Sequence, residues 1–428
     1  MLFEFAKLLY LNITDWSVMF INWVPTQPII MEPIRDKVMV LDNRIFTKSH
    51  SMTITIIVLI LATCGSFMQI AGTSWDVTSH IMEEPESFFT PSHTLLYAGV
   101  GLLIVAAGTS VILLFGNNRL RRSSVAAPLK LLIVGSTISC VAGPSDFFWH
   151  EFFGVDGLLS PPHLSLITGM LINTVAIVLG HTRIAVLINS CPRKRLIMAA
   201  MVPVFAALWF TTTWYVYMFS LPFSDGEHFR YNLDPSIAAL IAIIALPMLS
   251  SIIFLTASRS IGRFGAGTIV SALVVGINVF ANIIPSQGMS GNILPWYSIV
   301  AILPVLTADI VLYNSAIKSK LGSRATELIA GILVGSIFYV FNYPMLTWAF
   351  AIPLEMPIAN QLGLQAVTNL NSSFFSTLPI ILSITLMPAA LMGLLGALIV
   401  SSKTVIPIFR KKQLKPFEFI TTIKTMTE

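Results

Sequence analysis

Ten stretches of largely apolar residues, each about 20 long, follow one another along the chain: 52–73, 94–116, 126–146, 164–186, 197–220, 237–257, 265–285, 295–316, 328–350 and 379–401. A helix rising about 1.5 Å per residue needs that length to cross the hydrocarbon of a bilayer. Of the 428 residues, 55% are hydrophobic and 11% charged, which leaves too little polar surface to cover a water-soluble fold of this size. The expected fold is an all-α polytopic integral membrane protein with about ten transmembrane helices.

Basic residues sort onto alternate loops. Arg35, Lys37, Arg44 and Lys48, then Arg119, Arg121 and Arg122, Arg193, Lys194 and Arg195, Arg259 and Arg263, Lys318, Lys320 and Arg324 lie on one set. The tail adds Lys403, Arg410, Lys411, Lys412 and Lys415, whereas the opposite loops, 73–92, 147–162, 222–235 and 351–378, hold Arg230 alone. The positive-inside rule then places both termini in the cytoplasm, with the chain in the cytoplasmic membrane. Trp75, Trp149, Trp214, Trp296 and Trp348 fall near the outer ends of spans, where amphipathic rings settle. The formal charge of +5 thus reports orientation in a lipid bilayer and not nucleic acid as a partner. Cys64, Cys140 and Cys191 have no C-x-x-C spacing and read as packing residues. Residues 1–31 are interrupted by Glu4, Lys7, Asp15 and Pro25, so they read not as a signal peptide but as an interfacial helix carrying Trp16, Phe20 and Trp23, with an extra short span as the alternative. The expected organisation is an N-terminal interfacial segment (1–50), a four-span region (51–190), a six-span region (191–402) and a basic tail (403–428).

Within the four-span region a pattern recurs. Asp76-x3-His80 closes the first span and Thr90-Pro91-Ser92-His93 opens the second; Asp146-x3-His150 closes the third and Ser160-Pro161-Pro162-His163 opens the fourth. Both copies read D-x3-H-x12-H at an offset of 70 residues, which extends to Gly99 and Gly169, and they use four of the seven histidines. Asp and His four apart share a helix face, and Thr or Ser before Pro starts a helix, so each duplicated hairpin can bring one carboxylate and two imidazoles together at the outer boundary. Two His and one carboxylate form a metal-ligand set, here Asp76, His80, His93, Asp146, His150 and His163. The alternative is a structural polar network joining the two hairpins. Copper suits the oxidising outer side and the order of divalent affinities, with zinc or iron as the other candidates. Glu83, Glu84, Glu86, Glu151 and Asp156 lie in the same loops as further ligands, outer acceptors or solvated charges.

The D-x3-H-x12-H motif resembles the copper-ligand motif in the membrane region of the C subunit of particulate methane and ammonia monooxygenases. The resemblance covers the two motifs. It implies that the six residues are copper ligands on a protein handling dioxygen and small apolar molecules, with partner membrane subunits.

Other residues admit two readings. Asp309, inside an apolar span, marks an ion pathway or a satisfied interhelical hydrogen bond. Glu227-His228 reads as an additional ligand or a solvated loop, and His181 with Arg183 as cations that favour the helix C-terminus and snorkel at the end of the fourth span. Pro247, Pro304, Pro344 and Pro388 are kinks or the broken helices of a transporter. The chain has no Walker loop, G-x-S-x-G, H-E-x-x-H or Rossmann fingerprint. The function classes are a copper-binding, monooxygenase-like oxidoreductase, a transporter or channel with an outer metal or proton site, and an integral scaffold subunit whose triplets tie the hairpins together. A zinc hydrolase lacks a separate general base.

Overall fold

Proline sets where three of the long helices begin. Lacking an N–H, it fits the first helical turn, where that donor has no intrahelical acceptor. Thr90 and Pro91, Ser160 and Pro161, and Asp234 and Pro235 open helices in this way, and the Ser160 and Asp234 side chains accept backbone N–H groups of the first turn. The computed structural model describes residues 50–81, 87–153, 159–188, 191–221, 233–283, 298–349 and 365–402, without the side chains of 80, 81, 191, 192, 282, 298 and 365–370. Among the described residues every regular element is a helix. The principal ones are α1 (His50–Ile81), α2 (Pro91–Gly116), α3 (Ala126–Phe153), α4 (Pro161–Leu187), α5 (Cys191–Ser220), α6 (Pro235–Ile261), α7 (Ala266–Ile283), α8 (Leu303–Tyr313), α9 (Ser315–Asn342) and α10 (Gln365–Ser401).

Eight of these are long and apolar enough to cross a membrane. The expected spans at 265–285 and 295–316 occur as shorter apolar helices, α7 and α8. Pro304 accounts for the second: it sits in the first turn of α8, and the preceding Ser298–Ile302 winds as a 3-10 turn. The last span is longer than expected. Residues 365–378, expected as loop, continue helically into the apolar run, with Pro379 inside the helix. Membrane helices tolerate such a proline, and here Ser376 and Thr377 hydroxyls donate to the Ser373 carbonyl while Trp348 Nε1 donates to Asn371 Oδ1 at 2.8 Å. The N-terminal segment 1–48, the tail from 403, Trp296, Glu227-His228, Glu83, Glu84, Glu86 and Asp156 lie outside the described residues.

Helices α1 to α4 pack in a ring, each against the next and α4 against α1. Glycine makes both hairpins tight. A Cβ on Gly65 would stand 2.8 Å from the Gly99 carbonyl and one on Gly99 2.6 Å from that of Gly65; a Cβ on Gly169 would stand 2.9 Å from the Gly135 carbonyl and 2.5 Å from Ser139 Oγ. These backbones therefore approach as only glycine allows. Helix α5 joins the ring to α6, burying Trp209 against Phe254 and Phe338. Helices α6, α9 and α10 close on Gly331, Gly335, Gly393 and Gly396, where Ser251 Oγ donates to the Gly393 carbonyl at 2.8 Å. Arg259 ties the same three helices, pairing with Glu327 and donating to the Val400 carbonyl.

Two expectations at single residues change, and one of the two readings of a third is met. Cys64 and Cys140 are exposed on the bundle's outer surface, so they do not pack its interior; the Cys191 side chain lies outside the described residues. His181 does not snorkel. It is fully buried, with Nδ1 2.9 Å from the Ile177 carbonyl, because its stripe of α4 faces the bundle, while Arg183 reaches the Ser124 carbonyl at 3.0 Å. Asp309 is buried and engaged: Ser258 Oγ donates to Oδ1, and the Thr268 N–H and hydroxyl donate to Oδ2 at 2.8 and 2.7 Å. The carboxylate thus caps the start of α7 from α8, which is the hydrogen-bonded reading of this residue.

Candidate metal centre

Helix geometry assembles the second triplet. Asp146 and His150 lie one turn apart near the end of α3 and His163 in the first turn of α4, where Ser160 Oγ accepts the His163 N–H at 3.3 Å. His163 Nε2 stands 3.1 Å and His150 Nε2 3.6 Å from Asp146 Oδ1, and one ligand atom from each residue lies within 4.8 Å of the others. Ligands held about 2.0–2.2 Å from a shared ion at angles of about 90–110° are about 2.8–3.6 Å apart, so both carboxylate–imidazole separations suit adjacent coordination positions. Oδ1 is buried, with His163 Nε2 at hydrogen-bonding distance but off the line of a hydrogen bond, and His150 also interacts with this carboxylate. Misalignment at that range is what lone pairs aimed at a common point between them produce. Side-chain exposures of 14% for Asp146, 12% for His150 and 18% for His163 leave the cluster sheltered but reachable.

In the first hairpin the structure brings Asp76 and His93 together at 3.0 Å; the backbone of His80 lies in the last turn of α1, and its side chain is outside the described residues. His93 Nδ1 lies 3.0 Å from the Ser87 carbonyl. A carbonyl only accepts, so Nδ1 carries the proton, and Nε2 presents toward Asp76 either a lone pair or a second proton. Two acceptors facing each other at this distance need a cation or a proton between them. Fixing one imidazole nitrogen by a carbonyl so that the other can ligate is the usual outer support of a metal-bound histidine. Ser92 Oγ donates to Asp76 Oδ1 at 2.9 Å, a contact without counterpart in the second hairpin, where Pro162 occupies the position. Glu151 is exposed on the last turn of α3.

The two clusters are neighbours. Phe88, just ahead of α2, meets Phe147 of α3 edge-on at 5.0 Å and Tyr97 of α2 at 5.0 Å, and Tyr97 stacks on His93 at 5.7 Å. Asp76 is near enough to act electrostatically on Asp146. The motif's spacing points to the ligand-type residues and includes Ser92 in the helix start; Ser87, Phe88 and Tyr97, which orient or join them, carry no spacing signal. A match at the 70-residue offset between Gly65 and Gly135 was the signal available for the close approach below the clusters.

Among the described residues, an all-helical membrane-type bundle with eight helices able to cross a bilayer, and a 2-His-1-carboxylate group able to hold a metal ion, is the class these features define. Comparisons with protein-family models, curated proteins and solved structures return no match to this chain.

Proposed function

We propose that the chain is an integral membrane copper protein with a redox, monooxygenase-like activity toward small apolar molecules, its two Asp/His clusters lying at the outer face. In this reading the chain crosses the bilayer ten times, the shorter apolar helices α7 and α8 adding two spans to the eight long ones, and both termini are cytoplasmic, as the basic loops require. The hairpins α1–α2 and α3–α4 are duplicates: the Asp–His contacts and the glycine approaches recur at positions 70 residues apart. The observation that carries the reading is the convergence of Asp146, His150 and His163, whose ligand atoms lie within 4.8 Å of one another.

Copper bound with open positions supplies dioxygen binding and one-electron chemistry. The chain's own residues hold the ligands in place, and the aromatic wall of Phe88, Tyr97 and Phe147 gives the surroundings an apolar character suited to small hydrophobic substrates. Partner membrane subunits belong to the reading, since no dinucleotide fingerprint supplies an electron donor. Asp309, committed to three hydrogen bonds, gives the transporter reading no observation of its own.

The test is metal content per chain, by mass spectrometry, of the full-length protein in mild detergent and of a variant lacking His80, His93, His150 and His163. Copper present in the first and lost in the second is expected. Zinc in its place redirects the chemistry to hydrolysis, and no metal in either sample after reconstitution with copper, zinc and iron overturns the reading.

A further inference from the structure

Below each Asp/His cluster the hairpin interfaces bury polar side chains that no group among the described residues satisfies. Residues 65, 69, 72 and 76 of α1 form one stripe facing α2: Gly65 and Gln69 meet Gly99, Gly72 meets Leu96, and Asp76 meets Ser92 and His93. Gln69 is fully buried, and neither its oxygen nor its nitrogen has a hydrogen-bond partner. Ser139, 70 residues on, occupies the same place below Asp146; it is 1% exposed, and its Oγ, turned toward Gly169, has no partner either. One turn further from the clusters are Ser66 and Ser136. Ser66 Oγ has no partner, whereas Ser136 Oγ donates to Asn173 Oδ1 at 3.2 Å, leaving the Asn173 Nδ2 donor without an acceptor.

A buried hydroxyl or amide without a partner forfeits its hydration with nothing in return, so several close together make a strong requirement for a ligand that both donates and accepts. Water is the smallest such ligand and the usual occupant of polar interior sites. The clustering also argues against chance: five orphaned atoms lie in one layer, Gln69 and Ser139 at equivalent positions about 10 Å from the carboxylates, given seven residues at about 1.5 Å each.

We propose that ordered water occupies this layer, bound by Ser139 and Asn173 in the second hairpin and by Gln69 and Ser66 in the first, and that it links the Asp/His clusters by hydrogen bonds to the middle of the four-helix ring. Its service to the clusters as a proton relay rests on the metal reading; its existence does not. The second hairpin carries the layer deeper, because Asn173 stands where the first hairpin has Leu103, whose side chain closes the space opposite Gly65.

The probe is hydroxyl radical generated in place by X-ray pulses, which marks oxidisable side chains beside internal water, applied to the metal-free full-length protein. Met170 is 1% exposed and one turn from Asn173, with the Thr73 hydroxyl of α1 donating to its Sδ, and Met201, 2% exposed on α5 and not among the residues of this layer, is the reference. Met170 should be oxidised while Met201 is not, and the mark should be lost in the Ser139→Ala, Asn173→Leu double variant. Leucine at 173 repeats Leu103, which the fold already accepts opposite a glycine; should the double variant not fold, Ser139→Ala alone should weaken the mark. A Met170 as unmarked as Met201, or a mark that survives substitution, overturns the proposal. Because no metal is present in the assay, its failure is separate from a failure to bind copper.

Discussion

At the scale of single residues, the second cluster depends on one oxygen. Asp146 Oδ1 is the atom from which both imidazole distances are measured, and a neutral amide there would supply a weaker ligand without changing the side chain's size. Asp146→Asn and His163→Ala should each empty the second cluster, whereas Glu151→Gln, exposed on the neighbouring turn, should leave it filled; metal per chain by mass spectrometry distinguishes the three. The ligand types and their offset were legible in the sequence because helical spacing and a proline-marked helix start are local rules. What orients them was not. The Ser87 carbonyl and the Ser92 hydroxyl act through the shape of a turn, and the burial of His181 depends on which way α4 is rotated in the ring, a property of neighbours and not of the segment.

At the scale of elements, the hairpins are held by close backbone approach and not by large side chains. Gly169→Val should therefore force α3 and α4 apart, costing about 1–3 kcal/mol and lowering the thermal midpoint in detergent, while Gly101→Ala, which meets open space, should leave it unchanged or slightly raised. The second element-level prediction concerns α7. Asp309→Ala strips the acceptor from the Ser258 hydroxyl and from the Thr268 N–H and hydroxyl, all in buried surroundings, and should cost about 3 kcal/mol in the same thermal assay. The apolar runs announced the long helices well. Their ends were less legible where proline was involved: Pro304 starts a helix, but Pro379 is absorbed inside one, and the difference lies in the contacts of Trp348 with Asn371, Phe374 and Phe375, which extend α10 backward.

At the scale of the whole molecule, the distribution of arginine and lysine makes a prediction about sidedness. In a cysteine-free background, Ser123→Cys should react with a membrane-impermeant thiol reagent only from the cytoplasmic side and Ser87→Cys only from the other; reaction of both from one side would refute the orientation. The consequence of the 70-residue spacing is one of parity. Helices α1 and α3 both run toward the clusters and α2 and α4 both run away, so the repeating unit contains an even number of passages through the bundle. Copying such a unit keeps the handedness and polarity of the original, unlike the odd-numbered repeats of many transporters, whose halves are inverted and place their shared site at mid-membrane. Two clusters opening on the same side, close enough for their carboxylates to sense each other, follow from that even count. An added or lost passage between residues 81 and 146 would send them to opposite faces.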